Sequence, residues 1–178
     1  PKDLRMAVAL MWARRHVPRW RAYADDVMPP AYTSLYLATH DELDALQDEN
    51  VKRMAEGSRA SYAAGWEMIK TSHPRVAEAI DDAGDESSPS ATQEDFDWAR
   101  ATAHTRAMSG KVGGGPCAFI VPGVDLANHS FEPNCEYGVS ADGKSFQLTW
   151  DCEATKERPG GPPPPTAKDE VLICYGAR

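Results

Sequence analysis

The stretch Phe119-Ile-Val-Pro-Gly-Val-Asp-Leu-Ala-Asn-His-Ser-Phe-Glu-Pro-Asn-Cys-Glu-Tyr137 limits what this chain can form more than any other feature of the sequence. An apolar run breaks at Pro122-Gly123, and Asp125, Asn128 and His129 follow before a second β-like run begins. Polar side chains this dense, set between apolar runs, are typical of a segment that lines a functional site. The sequence therefore predicts a site between two strands.

Apolar residues at helical spacing predict helices in the first part of the chain. Leu4, Val8, Met11 and Trp12 predict an amphipathic helix from Asp3 to about His16, because a helix must end before the proline that follows. The same spacing continues over residues 62–71 and, for another turn or two, over residues 76–80.

Two capping patterns predict where further helices begin. Thr39-His-Asp-Glu42 is a capping box, and the helix after it is expected to run from about Asp41 towards Met54. Thr92-Gln-Glu-Asp95 caps another helix, in which one narrow face is formed by Phe96, Ala99, Ala103 and Ala107. Residues 81–91, rich in acidic, Ser, Gly and Pro residues, predict a mobile loop.

The second part of the chain shows β-like patterns. Residues 137–150 predict a hairpin that turns at Asp142-Gly143. Gly110 to Pro116 is expected to be flexible and to lead into a strand from Cys117 to Val121. Residues 153–169 contain a run of prolines and predict an exposed, partly polyproline loop.

A second short segment completes the pattern of the central stretch. Val171-Leu-Ile-Cys-Tyr-Gly176 predicts a strand that ends in Tyr-Gly, where a phenol can point out of a sheet into a cleft. Together, Asp125-Leu-Ala-Asn-His129, Pro133-Asn134-Cys135 and Glu170-Val-Leu-Ile-Cys-Tyr-Gly176 resemble the SET-domain protein methyltransferases. Within that family the chain is most similar to the branch of the Rubisco lysine methyltransferases and actin-histidine methyltransferases, which carry a helical insertion inside the SET domain.

The resemblance implies an incomplete α+β domain. Residues 1–116 would be the large helical insertion of the SET domain, and residues 117–178 the C-terminal part of its β core, with the proline-rich loop at 153–169. Because the chain begins at Pro1 and stops shortly after Tyr175, we expect a piece of a longer protein. The family's N-terminal Gly-rich cofactor strand and its substrate-binding helical domain would lie outside this piece, which alone is expected to bind cofactor poorly.

The resemblance also implies a function. It is the transfer of a methyl group from S-adenosylmethionine to a side-chain nitrogen of a lysine, with histidine as the alternative acceptor, in a protein or peptide substrate and without a metal. Tyr175 would be the catalytic residue, while Asn128, His129, Asp125 and Arg106 would bind or support the cofactor site. In the family the segment with the Asn-His pair is threaded against the Tyr strand, so Asn128 and Tyr175 are expected to meet.

Other interpretations of these residues stay open. One alternative is a SET-like chain that has lost its enzymatic activity and serves as a peptide-binding scaffold. Another is a purely structural role: Asn128 considered alone would cap a turn, and His129 considered alone would be a hydrogen-bonded histidine of the core. Gly138-Val-Ser-Ala-Asp-Gly-Lys-Ser145 fits the spacing of a phosphate-binding loop. That loop requires a helix at its Lys-Ser end, whereas the following Phe146-Gln-Leu-Thr-Trp150 alternates like a strand.

Charge and cysteine usage narrow the partners and the compartment. A net charge of −8 and a pI near 5.1 argue against a nucleic-acid partner and suit a basic peptide. The four cysteines contain no Cys-x-x-Cys pair, which favours reduced, buried thiols in an intracellular protein, in the cytoplasm, nucleus or chloroplast. No apolar stretch approaches the roughly 20 residues that span a bilayer, so no membrane partner is expected, and the oligomeric state is left open.

Overall fold

The computed structural model describes residues 2–82, 89–112, 115–150 and 170–175. The chain divides into two compact units, Pro1–Thr105 and Arg106–Arg178. Among the described residues the first unit is helical and the second is built mainly from short strands, so the expected α+β class is confirmed. The division at residue 116 between a SET insertion and a SET β core stays a prediction.

Six helices lie in the described residues of the first part of the chain. Their bounds are α1 Lys2–His16, α2 Pro18–Asp26, α3 His40–Asp44, α4 Glu49–Ser72, α5 Pro74–Asp81 and α6 Gln93–Arg106. Helix α2 was not predicted from the sequence. Pro18 ends the first helix as expected, but it also occupies the first turn of the next, where its missing N–H has no helical partner to lose.

The inner face of α1 differs from the predicted one. Ala7, Leu10 and Met11 are buried, whereas Trp12 is 44% exposed and its ring stacks on His16 at 5.0 Å. The predicted helix is therefore confirmed, but its apolar stripe lies to one side of the tryptophan.

The capping box at Thr39 is confirmed, although the long helix predicted after it is wrong. The Glu42 N–H donates to Thr39 Oγ1 at 3.3 Å, and the Thr39 N–H donates to Glu42 Oε2 at 2.7 Å. This helix ends at Asp44, and Asp48 caps α4 by accepting from the second and third following backbone N–H groups, at 2.8 and 3.1 Å. A second helix cap, the Asp48 carboxylate, thus separates the two helices.

Helix α6 contributes much of the core of the helical unit. The Asp95 N–H donates to Thr92 Oγ1 at 3.1 Å and Asp95 Oδ2 accepts from the Thr92 N–H at 2.9 Å, which confirms the predicted cap. Phe96, Ala99 and Ala103 are buried as predicted. Ala107 lies beyond the end of the helix and is exposed, so the predicted face is one turn too long.

The strands of the second unit form three pairs in the described residues. β1 Met108–Val112 pairs antiparallel with β2 Gly115–Phe119, and β4 Cys135–Val139 pairs antiparallel with β5 Phe146–Trp150. β3 Asn128–His129 pairs parallel with β6 Leu172–Ile173. The apolar cluster of this unit has four buried members, to which half-buried side chains add; the buried ones are Met108, Ala127, Cys135 and Ile173.

The hairpin β4–β5 confirms one prediction and excludes a rival function. Its turn includes Gly143 at φ 70°, a left-handed conformation that favours glycine, and the Ser140 N–H donates to the Ser145 carbonyl at 2.8 Å. Residues 146–150 form a strand, where a phosphate-binding loop would require a helix. The segment 138–145 therefore forms the end of a β-hairpin and not a phosphate-binding loop.

The prediction that residues 110–116 are flexible is wrong for those of them that the structure describes, because they lie in two paired strands. Gly110 lies in β1 and Pro116 in β2. A Cβ atom on Gly110 would lie 2.7 Å from the Phe119 ring, so the glycine permits a close approach across the hairpin. The predicted strand from Cys117 is confirmed, but it begins earlier and ends at Phe119.

The prediction that the cysteines are buried is confirmed only in part. Cys135 is buried, which raises the pKa of its thiol, whereas Cys174 is only half-buried. Cys117 is exposed, because β2 is a hairpin strand and not a core strand. Three predictions concern residues outside the described ranges: the thiol of Cys152, most of the loop at 81–91 and the proline-rich loop at 153–169. Within the described part of the chain, none of the helices has the length and apolar character to cross a membrane.

Two glycines of α4 test the packing of the helical unit. A Cβ atom on Gly57 meets nothing within 4 Å, whereas one on Gly65 would lie 2.5 Å from Phe96 Cε1. We expect Gly57→Ala to raise the free energy of unfolding by about 0.5–1 kcal/mol through helix propensity. Gly65→Ala should lower it by roughly 1–3 kcal/mol through overpacking. Urea unfolding of both variants measures the difference, and a Gly65→Ala protein as stable as the parent would contradict the close packing of Phe96.

Candidate functional site

The two distant segments that carry the sequence motifs meet in the structure. Asn128 and His129 of β3 lie in register with Leu172 and Ile173 of β6. The Ser130 N–H donates to the Ile173 carbonyl at 3.0 Å and continues this pairing beyond the short strand. The expectation that the Asn-His pair lies beside the Tyr segment is therefore confirmed.

The side chain of Asn134 holds the other end of the pairing. Its Nδ2 donates to the Glu170 carbonyl at 2.8 Å, and its Oδ1 accepts from the Leu172 N–H at 2.8 Å. The Asn134 backbone N–H also donates to the Leu172 carbonyl at 3.2 Å. One amide side chain thus replaces a peptide group of a neighbouring strand, on both its donor and its acceptor side.

Glu170 also contacts the motif residue Asn128. Asn128 Nδ2 donates to Glu170 Oε1 at 2.6 Å, and both residues are exposed. A carboxylate and an amide therefore lie together beside the paired strands. Glu170 and Asn134 belong to the sequence motifs, but their contacts depend on a pairing across some forty residues and no local pattern predicts them.

Tyr175 is tied to the Asn-His segment at two points. Its hydroxyl donates to the Ala127 carbonyl at 2.5 Å, and its backbone N–H donates to His129 Nδ1 at 3.2 Å. Because Nδ1 accepts here, the neutral imidazole carries its proton on Nε2. The Tyr175 ring remains 57% exposed.

Three rings follow one another along this surface. The His129 ring lies 5.2 Å from the Tyr175 ring and 4.8 Å from the Phe131 ring, measured between centroids. Phe131 is 91% exposed and contacts His129 edge to face. Phe131 therefore adds exposed apolar surface next to the polar motif residues. Phe131 was not among the predicted site residues, although it follows the Asn-His pair directly in the central stretch.

Arg106 and Asp125 form a pair under the turn that leads to Asn128. Arg106 Nη1 lies 3.4 Å from Asp125 Oδ2 and donates to the Asp125 carbonyl at 3.1 Å. The Asp125 carboxylate is fully buried, and its residue lies in the 3₁₀ turn Val124–Leu126, which follows Gly123 at φ 88°. A buried carboxylate needs such a partner, because desolvation of an unpaired charge is costly.

The structure therefore divides the five predicted site residues into two groups. Asn128, His129 and Tyr175 are joined by strand pairing and direct contacts at the surface. Arg106 and Asp125 contact each other, with the Asp125 side chain enclosed. Chemically, the surface group offers an amide, an imidazole and a phenol whose oxygen keeps lone pairs to accept another hydrogen bond. The functional role of each residue stays a prediction.

The bridge made by Asn134 gives a direct test of the pairing. Asn134→Ala removes the bonds to Glu170 and Leu172 and should lower the free energy of unfolding by roughly 1–3 kcal/mol. Asn134→Asp keeps an acceptor for the Leu172 N–H and should lose less. Hydrogen exchange of the Leu172 amide reports the local effect, and Lys144→Ala in the exposed β4–β5 turn serves as control. Unchanged exchange of Leu172 in Asn134→Ala would show that the side chain does not hold the strand.

Comparisons with known proteins bear on the fold of this chain. No family model matches it. Protein Plastid Transcriptionally Active 14 of Arabidopsis thaliana is 32% identical over 140 residues, a match that covers 75% of this chain and 27% of that protein. The chain thus spans about a quarter of the length of this curated relative. The crystal structure of the SET domain of LSMT bound to lysine and AdoHcy superposes with a TM-score of 0.66 at 18% identity, over 96% of this chain and 36% of that one. The chain therefore has the fold of part of a SET domain.

Proposed function

We propose that the complete protein transfers a methyl group from S-adenosylmethionine to a side-chain nitrogen of a protein substrate, with lysine as the acceptor. The observation that carries this proposal is the contact of Tyr175 with the Asn128-His129 segment, made by strands paired across the chain. On a SET fold, this contact joins the two motifs from which the resemblance to the methyltransferases was drawn. The place of the protein in the Rubisco lysine and actin-histidine methyltransferase branch belongs to the same proposal.

The solved neighbour supports the choice of donor and acceptor. That SET domain was crystallised with lysine and AdoHcy. AdoHcy is what remains of S-adenosylmethionine after its methyl group has left. Since this chain spans 36% of the neighbour and 27% of the plastid relative, we propose the activity for the complete protein.

The residues on the surface of the second unit fit the chemistry of this donor. S-adenosylmethionine combines an amino-acid head, a cationic sulfonium and a planar base. Asn128 and Glu170 offer an amide and a carboxylate for the head, and the exposed rings of His129 and Phe131 offer apolar surface for the base. When bound, the donor supplies an electrophilic methyl group.

Tyr175 would act on the acceptor nitrogen. Its hydroxyl is held by the Ala127 carbonyl, so the phenol oxygen has a fixed position and can accept an N–H of the incoming amine. That contact would turn the nitrogen lone pair towards the methyl group, and orientation of this kind is a large part of the rate gain in such displacements. The amine must be neutral to react, and a free lysine has a pKa of about 10.4, so burial of the acceptor in a narrow channel would help it lose its proton.

Arg106 and Asp125 would serve the site through the backbone. Arg106 donates to the carbonyl of Asp125 and neutralises its buried carboxylate, which holds the turn that leads into Ala127 and Asn128. The pair thereby places the Ala127 carbonyl that receives the Tyr175 hydroxyl. A direct contact of Arg106 with the cofactor remains a prediction from the resemblance.

A peptide-binding scaffold without turnover is the second candidate function. The observation in its favour is the exposed apolar surface beside the motifs, formed by Leu126 at 46%, Phe131 at 91% and Tyr175 at 57% exposure. Such a surface would bind a partner whether or not chemistry follows. For the compartment, the name of the Arabidopsis relative refers to plastids, which supports the chloroplast among the intracellular locations predicted.

Substitution of Tyr175 separates these candidates. In the full-length protein, Tyr175→Phe should lower methyl transfer by roughly a hundredfold or more, because the acceptor loses its orienting oxygen. Incubation with labelled donor and a cell extract, followed by mass spectrometry, measures the transfer and locates the label.

Tyr137→Phe is the matched control, since this tyrosine lies in β4 with its ring stacked on Phe146 at 5.9 Å. It should keep parental turnover, and circular dichroism should show both variants folded. Parental turnover in Tyr175→Phe would remove Tyr175 from the mechanism, and no transfer by the parent protein to any substrate would favour the scaffold.

A further inference from the structure

The carboxylate of Glu170 determines how the side-chain amide of Asn128 is turned. Asn128 Nδ2 donates to Glu170 Oε1 at 2.6 Å, which is a short hydrogen bond to a charged acceptor. An ionised carboxylate can only accept hydrogen bonds, so it bonds the nitrogen end of an amide and not the oxygen end. The contact therefore selects one of the two orientations that the Asn128 amide can adopt.

Both partners of this contact are held by their backbones. Asn128 lies in β3, in register with Leu172 of β6. The Glu170 carbonyl accepts from Asn134 Nδ2 at 2.8 Å, and Asn134 Oδ1 accepts from the Leu172 N–H at 2.8 Å. The side chain of Glu170 therefore starts from a fixed point beside β3, although Glu170 and Asn128 are both exposed. Such a pair loses less conformational freedom on binding a ligand than two mobile side chains would.

The oxygen of the Asn128 amide stays available for a ligand. An amide is planar, with its oxygen and nitrogen on opposite sides, so the bond from Nδ2 to Glu170 turns Oδ1 away from the carboxylate. Within the described ranges of the chain, no group donates a hydrogen bond to Oδ1 of this exposed residue. Asn128 therefore presents a neutral acceptor to solvent, beside the strand that leads to Tyr175.

An acceptor in this place distinguishes the two ends of an amino-acid head. An ammonium group carries donors and a positive charge, so it can bond Asn128 Oδ1 and is attracted by the nearby carboxylate of Glu170. A carboxylate of the ligand has no proton to donate, and both Oδ1 and Glu170 would repel it. The surface around Asn128 thus suits the ammonium end of the head and not its carboxylate end.

We propose that Glu170 is a positioning residue, which holds the Asn128 amide with Oδ1 towards the ammonium group of S-adenosylmethionine. This inference rests on the proposed methyl-transfer function and assigns one end of the donor to one atom of the site. The main effect of Glu170 on the donor is exerted through Asn128. Substitution of Glu170 should therefore weaken the binding of ligands that carry the ammonium group and leave the binding of others unchanged.

Isothermal titration of the full-length protein with two ligands that differ in one group tests this role. The ligands are AdoHcy and deamino-AdoHcy, in which a hydrogen replaces the amino group. Glu170→Ala frees the Asn128 amide and should weaken AdoHcy binding by about five- to tenfold, because the ligand must then order this side chain. Binding of deamino-AdoHcy should change by less than about twofold. An equal loss for both ligands would show a general structural effect and overturn the proposal.

A conservative variant separates positioning from charge. Glu170→Gln loses the charge but keeps an acceptor for Asn128 Nδ2. Because two amides can pair in either sense, Asn128 keeps the required orientation about half of the time, and AdoHcy binding should fall only about twofold. A loss as large as that of Glu170→Ala would mean that the charge itself holds the donor, against the positioning role. Glu136→Ala, at an exposed position of β4, is the matched control and should bind like the parent.

A double-mutant cycle with Asn128→Ala tests the route of the effect. If Glu170 acts through Asn128, Glu170→Ala should weaken AdoHcy binding by no more than about twofold in a protein that already carries Asn128→Ala. The full loss of about five- to tenfold in that background would contradict the proposal. Circular dichroism of each variant checks that it is folded.

Measurements on the parent protein distinguish this proposal from the methyl-transfer proposal. If the parent binds no AdoHcy and transfers no methyl group, both fail. If the parent binds AdoHcy and transfers methyl groups while Glu170→Ala binds AdoHcy equally well, only the positioning role fails. The side-chain amide signals of Asn128 in an NMR spectrum should shift in Glu170→Ala before any ligand is added, and unchanged signals would show that the contact does not form.

Discussion

The parallel pairing of β3 with β6 is the contact on which the second unit depends. Each strand has two residues, so the backbone ladder alone supplies few hydrogen bonds. Asn134 adds one bond on each side of its amide, and the Ser130 N–H extends the ladder. The Tyr175 hydroxyl and N–H contact Ala127 and His129 at the far end. This crossing joins segments far apart in the chain, and side chains hold it as much as the paired strands do.

The same groups that hold this crossing also form the candidate site. Asn128, His129 and Tyr175 each use one polar atom of the side chain to join the two segments, and all three residues remain exposed. Such an arrangement fixes the exposed atoms without burying them, which is what a site must do when its ligand arrives from solvent. It also means that substitutions here change stability and binding together, so activity data need a parallel measurement of folding.

The sequence predicted what depends on neighbouring residues and missed what depends on distant ones. The caps at Thr39 and Thr92 and the Asp-Gly turn need only three or four residues, and all three are confirmed. The cap at Asp48 has the same local basis but was obscured by continuous helical spacing. Gly110 looked flexible because the ring of Phe119, which needs the gap, arrives from the other strand of the hairpin. The meeting of the two motif segments followed from the resemblance alone, since no local pattern specifies a parallel partner.

The two units treat their buried polar groups differently. In the second unit the buried carboxylate of Asp125 has Arg106 beside it. The buried side-chain nitrogen and oxygen atoms without a partner, among the described residues, all lie in the helical unit: Trp20 Nε1, Ser34 Oγ, Tyr62 Oη and Arg100 Nε. The last two come from residues that line one cleft, and their side chains stack on each other. Each enclosed donor without an acceptor costs about 1–3 kcal/mol, so the contact of the Arg100 guanidinium with the Tyr62 ring and the packing around it must offset that cost within the helical unit.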